Sequence, residues 1–241
     1  MTATRGSVSE ATPPPRAPVT VELRYRSDAA LLVTYATQIV KGELTLNAPA
    51  PLRNGTPAEL RLTAPASAMV LSGVVTATRA DSGGRPQFAT MDVKLNPPGE
   101  AIGAAVDRLA FEFRGITALV AASQAAPRAH LIRYLRAIIN CRFVELDQKR
   151  LAEPGAIGNI DLALVDLDSS GPAGYELYAQ LRQHAEARTA PVLALAQSER
   201  DRVRAASLGF DEALSNPPAF AELQAATLRC LGRPSLVVVG S

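Results

Sequence analysis

Ile160-Asp161-Leu162-Ala163-Leu164-Val165-Asp166-Leu167-Asp168 decides the fold. Its middle is a continuous apolar run, short for a helix and bounded by acids, and it reads as a strand buried on both faces with carboxylates at its carboxyl end. Strands of that kind belong to parallel sheets, because the crossover connections of such sheets lay helices over both faces. Working outward from it toward the C-terminus, Tyr175, Tyr178 and Leu181 recur at helical spacing, and Pro191 to Ala196 is another strand. A helix then starts at Ser198, with Asp201 three residues on as an imperfect capping box and Gly209 as its stop, and a last helix runs from Pro218 to Leu231 with Gly232 past its end. On the N-terminal side, Ile116 to Ala121 is a strand, Leu131, Tyr134, Leu135 and Ile138 mark a helix, and Phe143-Val144 is a second short strand. Pro154 and Gly155 interrupt the helix that should follow. The alternation over residues 115–232 predicts a flavodoxin-like α/β fold with a parallel sheet.

Residues 19–114 have a different rhythm. Val19, Val21 and Leu23 alternate with polar neighbours, as do Ala58, Leu60 and Leu62, and Val70 to Val75 is a compact Val-rich run. Arg53-Asn54-Gly55 and Asp81-Ser82-Gly83-Gly84 supply the turn chemistry of tight hairpins. Short strands at regular spacing, with no long helix among them, predict a small antiparallel β-barrel or sandwich. A helix over 99–113, with Ala101, Ala104, Ala105, Leu109 and Phe111 on one face, closes this first domain. Residues 1–18, with Pro13-Pro14-Pro15 and almost no bulky apolar side chain, read as a disordered tail. Residues 233–241 are a C-terminal tail whose Ser235-Leu-Val-Val-Val-Gly-Ser run is β-prone; it could add to a partner's sheet edge, but packing back onto the chain's own sheet or barrel is the preferred reading.

The chain has 241 residues, 25 basic and 23 acidic, for a formal charge of +2. That balance gives no global field for nucleic acid or an anionic membrane. No apolar run matches a signal peptide or a membrane span, so a cytoplasmic protein is expected. Cys141 and Cys230 lack metal-ligand spacing and read as buried free thiols. His130 and His184 fall on expected helices with no nucleophile placed beside them, which gives no enzyme chemistry to assign and no metal or cofactor.

In an open parallel sheet, ligands gather at the carboxyl ends of the strands, here just after Val120, Val165, Leu195 and Leu214. Asp161 to Asp168 followed by Gly174-Tyr-Glu-Leu resembles the phosphoacceptor strand and following helix of response-regulator receiver domains. Pro191-Val-Leu-Ala-Leu and Gly209-Phe-Asp-Glu-Ala-Leu-Ser-Asn216-Pro217 are similar to later motifs of the same family, in the same order. The resemblance implies that Asp166 is a vestigial phosphoacceptor. Where the family holds Mg²⁺ with a second acidic pair, this chain has Ala121 and Ala122; the phosphoryl-sensing hydroxyl is Ala196, the lysine is Asn216 and the aromatic switch is Ala213. Without those groups an added phosphoryl charge beside Asp168 has little compensation, so a pseudo-receiver without phosphorylation is expected.

The first domain resembles a PilZ barrel of the divergent kind found in gliding bacteria such as the myxobacteria, through Val19 to Ser27, Leu32 to Leu46, Pro51 to Thr56 and Gly73-Val-Val. Such barrels bind cyclic di-GMP with paired arginines and an Asx-x-Ser-x-x-Gly turn. Here Arg16 fits the second arginine, Thr12 stands at the first, and Gln38, Val40 and Glu43 replace the turn's Asn, Ser and final Gly around Gly42. Each charged hydrogen bond lost removes roughly 1.5 to 3 kcal/mol, so cyclic di-GMP is not expected to bind. Arg24, Arg26 and Lys41 could form a different anion site, but scattered surface arginines are the preferred reading of them. Together the two resemblances imply a non-catalytic signalling adaptor that works by protein–protein interaction with other signalling or polarity proteins, in regulation of motility or cell polarity and with recruitment to a cell pole. The alternative is a cyclic di-GMP-binding effector with atypical ligand residues.

Overall fold

A computed structural model describes residues 17–80, 89–144, 159–185 and 187–240. The expected disordered tail, Thr12, Arg16, the Asp81–Gly84 turn and the Pro154-Gly155 interruption lie outside these residues. In chain order the first unit contains β1 (Val19–Arg24), α1 (Asp28–Thr37), β2 (Glu43–Ala48), β3 (Pro57–Ala64), β4 (Ser67–Ala80), β5 (Ala89–Leu95) and α2 (Glu100–Glu112). The second contains β6 (Ile116–Ala121), α3 (Ala125–Ile138), β7 (Cys141–Val144), β8 (Leu162–Asp166), α4 (Leu167–Ser170), α5 (Pro172–Gln183), β9 (Val192–Leu195), α6 (Glu199–Leu208), β10 (Glu212–Leu214) and α7 (Phe220–Leu231). The chain then returns to the first unit as β11 (Leu236–Val239).

The second sheet is wholly parallel, in the order β10-β9-β8-β6-β7. Numbered within the unit this is 2-1-3-4-5 read from the other edge, the doubly wound order of flavodoxin-like folds. Every residue of β8 and β9 is buried, as their unbroken apolar runs require of strands covered on both faces. Ser198 accepts the Asp201 N–H at the start of α6, and Gly209 closes that helix in the left-handed conformation with φ 99°.

The first sheet has six strands in the order β11-β1-β3-β4-β5-β2, and alternate residues such as Val21, Leu23, Leu60, Leu62, Leu44 and Leu46 fill its interior. Its two edges, β11 and β2, approach each other without pairing, so the sheet rolls into a nearly closed barrel. Three features depart from the sequence expectation. The sheet is mixed, because β1 runs parallel to β3 from Val19↔Ala58 to Arg24↔Thr63. A ten-residue helix, α1, interrupts the strands: Ser27 caps it by accepting from Ala30 N–H, and Ala30, Leu31, Val33 and Thr34 are its buried face. The run Ala29 to Val33 has no period-two signature of its own, and a short apolar run suits either element by pattern alone. Finally, α2 buries Val106 and Leu109 while Phe111, expected on the core face, is 81% exposed.

Residues 236–239, expected in a tail, pair antiparallel with β1 from Arg24↔Leu236 to Val21↔Val239. The connection from α7 is pinned where Thr34 Oγ1 donates to Gly232 O at 2.5 Å, so α1 and α7 meet. Val33 of α1 belongs to the same core cluster as Ile116, Leu214 and Leu231 of the α/β unit. Arg26, just after β1, donates from Nη2 to Asp161 O at 2.7 Å, and Asp161 leads into β8. The barrel therefore sits at the amino ends of the parallel strands. Burial pushes the Arg26 guanidinium down to about 10, against the pull of Asp161 and Asp211. Burial also pushes the Cys230 thiol up to about 12 and the Tyr25 phenol up to about 12.

Two outcomes follow for stability. A Cβ on Gly73 would stand 2.5 Å from Lys94 O and 2.9 Å from Val93 Cγ1, so Gly73→Ala is expected to cost about 1 to 3 kcal/mol in urea unfolding. A raised acid pKa stabilises the fold fully below its unfolded value and loses that effect as pH climbs through the folded one. The urea midpoint should therefore fall between pH 9 and 12, and fall less steeply in Cys230→Ala; equal slopes for the two proteins would contradict the assignment.

Candidate functional site

The carboxyl ends of β6, β8 and β9 and the loop after β10 converge where the strand order reverses, between β6 and β8. Asp166 ends β8 and is 1% exposed. Its Oδ1 accepts the N–H groups of Asp168 and Ser169, each at 3.1 Å, so the side chain caps α4. The same oxygen accepts from Asn216 Nδ2 at 2.9 Å. Asn216 Nδ2 also donates to Asp168 Oδ2 at 2.7 Å. One amide group thus bridges both carboxylates. Asp168 in turn accepts the Gln197 N–H, at 3.1 Å through Oδ1 and 2.9 Å through Oδ2, which ties the β8–α4 junction to the loop after β9.

The flanking loops are also fixed. Arg202 Nη1 donates to Ala196 O at 3.0 Å and Gln197 O at 2.9 Å, and Ala196 itself is fully buried. Ser123 N–H donates to Ser169 Oγ at 3.1 Å, and the Ser123 hydroxyl donates to Ser169 O, which joins the loop after β6 to α4. Ala121 and Ala122 lie on that same β6 end and offer methyl groups toward a cleft of about 390 Å³ that also touches Arg128, Glu176 and Gln180. Among the described residues no group of three or more His, Cys, Asp or Glu is arranged to hold a metal ion.

The structure thus brings Asp166, Asp168, Ala196 and Asn216 together, with Ala121 and Ala122 beside them; Ala213 lies on β10, half-buried against the core cluster that includes Phe210. The residues that sequence reading missed are Gln197, which contributes only its backbone N–H, and Arg202, which acts on carbonyls six and five residues earlier. Neither role leaves a side-chain motif to find.

On the barrel, Gln38, Val40, Gly42 and Glu43 form the tight connection from α1 to β2 rather than an open loop. Gln38 Oε1 accepts Thr45 N–H at 2.8 Å, Gly42 takes φ 75°, and Glu43 N–H bonds Gln38 O at 3.3 Å. Val40 is 63% exposed there. Arg24 lies 3.7 Å from Glu22, whereas Arg26 is turned into the interface with Asp161, so these two arginines serve different ends. The His130 ring packs tilted against Tyr134 on α3, and His184 follows the last residue of α5. No described helix is long and apolar enough to cross a membrane.

The Asn216 bridge has a measurable worth. Asn216→Ala leaves Asp166 buried with one donor fewer and sets two carboxylates against each other, so a loss of about 1 to 3 kcal/mol in chemical unfolding is expected. Asp166→Asn, Asn216→Asp, which reverses the Asp166–Asn216 pair, should recover only part of it, because Asp168 would then face a carboxylate.

No family model matches the chain, and no curated protein matches it. Among solved structures it is similar to the receiver domain of a sensor histidine kinase from Pseudomonas aeruginosa, with a magnesium ion coordinated in that protein's active-site cleft, at 23% identity and a TM-score of 0.41 over 49% of this chain and 98% of that one. A receiver domain of a histidine kinase from Clostridium thermocellum aligns at 18% identity and a TM-score of 0.43 over 48% and 97%. The receiver domain of an HD domain-containing protein from Pseudomonas fluorescens aligns at 20% identity and 0.40 over 49% and 88%.

Proposed function

We propose that the chain is a non-catalytic signalling adaptor that acts through protein–protein contacts, with an α/β unit held in one state by hydrogen bonds rather than switched by phosphorylation. The observation that carries this reading is the Asn216 amide between Asp166 and Asp168. A phosphoryl group on Asp166 would have to displace that amide, would meet no lysine at residue 216, and would add about two negative charges beside a carboxylate that is already satisfied by Gln197 N–H. Ala121 and Ala122 bring no oxygen ligand for a divalent ion. Small residues at Ala196 and Ala213 offer neither a hydroxyl nor a ring to report a change at Asp166. In this reading partner binding is constitutive with respect to phosphorylation, since a signal shifts an equilibrium only if it interacts differently with two states.

The barrel reading is parallel. Residues 38–43 are consumed in their own turn, and Glu43 places a carboxylate at the position where an anionic nucleotide would need a glycine. We assign the barrel no cyclic di-GMP, and take a role in motility or cell polarity, with recruitment to a cell pole, from the family resemblance alone.

The test uses the full chain. Incubation with radiolabelled acetyl phosphate and Mg²⁺ should give no incorporation above an Asp166→Asn control, and calorimetric titration with cyclic di-GMP should give no heat. Stoichiometric, Mg²⁺-dependent labelling lost in Asp166→Asn would sink the phosphorylation-independent reading, and micromolar nucleotide binding would replace it with the effector.

A further inference from the structure

We propose that the outer edge of β1 is a strand-docking site, filled within the chain by β11 and open to an extended segment of a partner protein that reads acidic–Val–basic–Val. This does not depend on what happens at Asp166, which lies at the opposite end of the α/β sheet.

The two sides of β1 are held very differently. On one side β3 pairs with all six residues, from Val19↔Ala58 to Arg24↔Thr63, so β1 remains in the sheet whatever lies on its other edge. On that other edge β11 pairs through four residues, with Ser235 N–H on Arg24 O at 2.7 Å and Gly240 N–H on Thr20 O at 2.8 Å at its two ends. The far edge of β11 faces β2 without a ladder. An edge strand bonded on one side only is the first element of a sheet to open.

The register then specifies what the site prefers. Opposite Leu23 and Val21, Val237 and Val239 point inward and pack half-buried against the barrel core. These positions take a β-branched side chain. Opposite Arg24 and Glu22 stand Leu236 and Val238, pointing outward and 43% and 42% exposed. Here β11 is a poor match. It offers two apolar side chains to water and puts no charge opposite Arg24, which has Thr63 across from it on β3, or on the β11 side of Glu22, whose cross-strand neighbour on β3 is Arg61; Arg24 and Glu22 lie 3.7 Å apart. A strand carrying an acid opposite Arg24 and a base opposite Glu22 gives Arg24 a cross-strand partner and sets Glu22 between two cations, and main-chain bonds supply the rest of the affinity. The chain's own strand holds the edge through its main-chain bonds, its two inward valines and the effective concentration that a short linker sets high.

The experiment measures fluorescence anisotropy of labelled synthetic peptides spanning residues 235–241. One peptide keeps the sequence; a second carries Leu236→Glu and Val238→Lys; a third carries the reversed charges, Leu236→Lys and Val238→Glu. The receiving proteins are the unaltered full chain and the full-length Val237→Asp, Val239→Asp variant, in which β11 can no longer bury its inward side. The variant is expected to bind the Glu/Lys peptide several-fold more tightly than either other peptide, and at least about 100-fold more tightly than the unaltered chain does. A variant with unchanged circular dichroism that binds none of the peptides overturns the proposal, as does equal binding of all three. Dimerisation of the unaltered chain in light scattering, with loss of dimer in the variant, would assign the edge to a second copy instead. If the variant does not fold, amide exchange on the unaltered chain decides: β11 amides should exchange at least tenfold faster than those of β3 and β4, and protection equal to theirs refutes it.

Discussion

Ser235 N–H reaches Arg24 O, and with that bond a strand made after the whole α/β unit enters a barrel that began more than two hundred residues earlier. Much of the architecture depends on this pairing. It makes the α/β unit an insertion between α2 and β11 rather than a domain appended to the barrel, and it fixes both chain crossings on one side. Between those crossings Thr34 seals the end of α7 and Arg26 reaches Asp161, so the contact is stapled by polar groups around the packing of Val33. Buried polar contacts of this kind set geometry more than they add stability, because desolvation offsets much of what the bond returns. The depressed Arg26 pKa is a direct sign of that opposition.

Placing the barrel at the amino ends of the parallel strands leaves the carboxyl ends uncovered by it. The Asp166 cluster is therefore a surface feature held from within: α4, the loop after β6, the loop after β9 and the turn at Asn216 are each tied to another by a named hydrogen bond. The two carboxylates here are met by neutral donors, an amide and several backbone N–H groups. Such donors satisfy carboxylates without a mobile ion whose arrival or departure would change the state.

The α/β half was legible in the sequence because each of its signals is local. Ile116 to Ala121 appears as a strand with the bounds expected of it, Ser198 and Gly209 cap α6 as their chemistry requires, and the acids after Val165 mark the sheet's carboxyl end. The barrel half was legible in part. Alternation found β1 and β3 and the Val-rich run found β4, but α1 was hidden because its buried stripe, Ala30, Leu31, Val33 and Thr34, fits no strict period in so short a run. Phe111 misled for a related reason: its helix meets the barrel through Ile102, Val106 and Leu109, and the aromatic ring falls outside that narrow contact. The partner of β11 lay beyond any local rule, since Val237 and Val239 announce a strand without saying which edge they join. At the site, the identities of Asp166 and Asn216 could be read from their place in the chain, whereas the bridge between them depends on a turn geometry that becomes visible only in three dimensions.

The insertion also sets a timetable for biosynthesis. Arg24 and Ser235 are separated by 211 positions, and at roughly 5 to 20 residues per second a ribosome takes about 10 to 40 s to cover that distance. Once α2 is made, the barrel's edge at β1 stays unsealed for the rest of that interval, while the α/β unit is synthesised. Each newly made molecule thus passes through a period in which that edge is exposed to whatever the translating ribosome and its neighbours present, before the chain supplies its own strand.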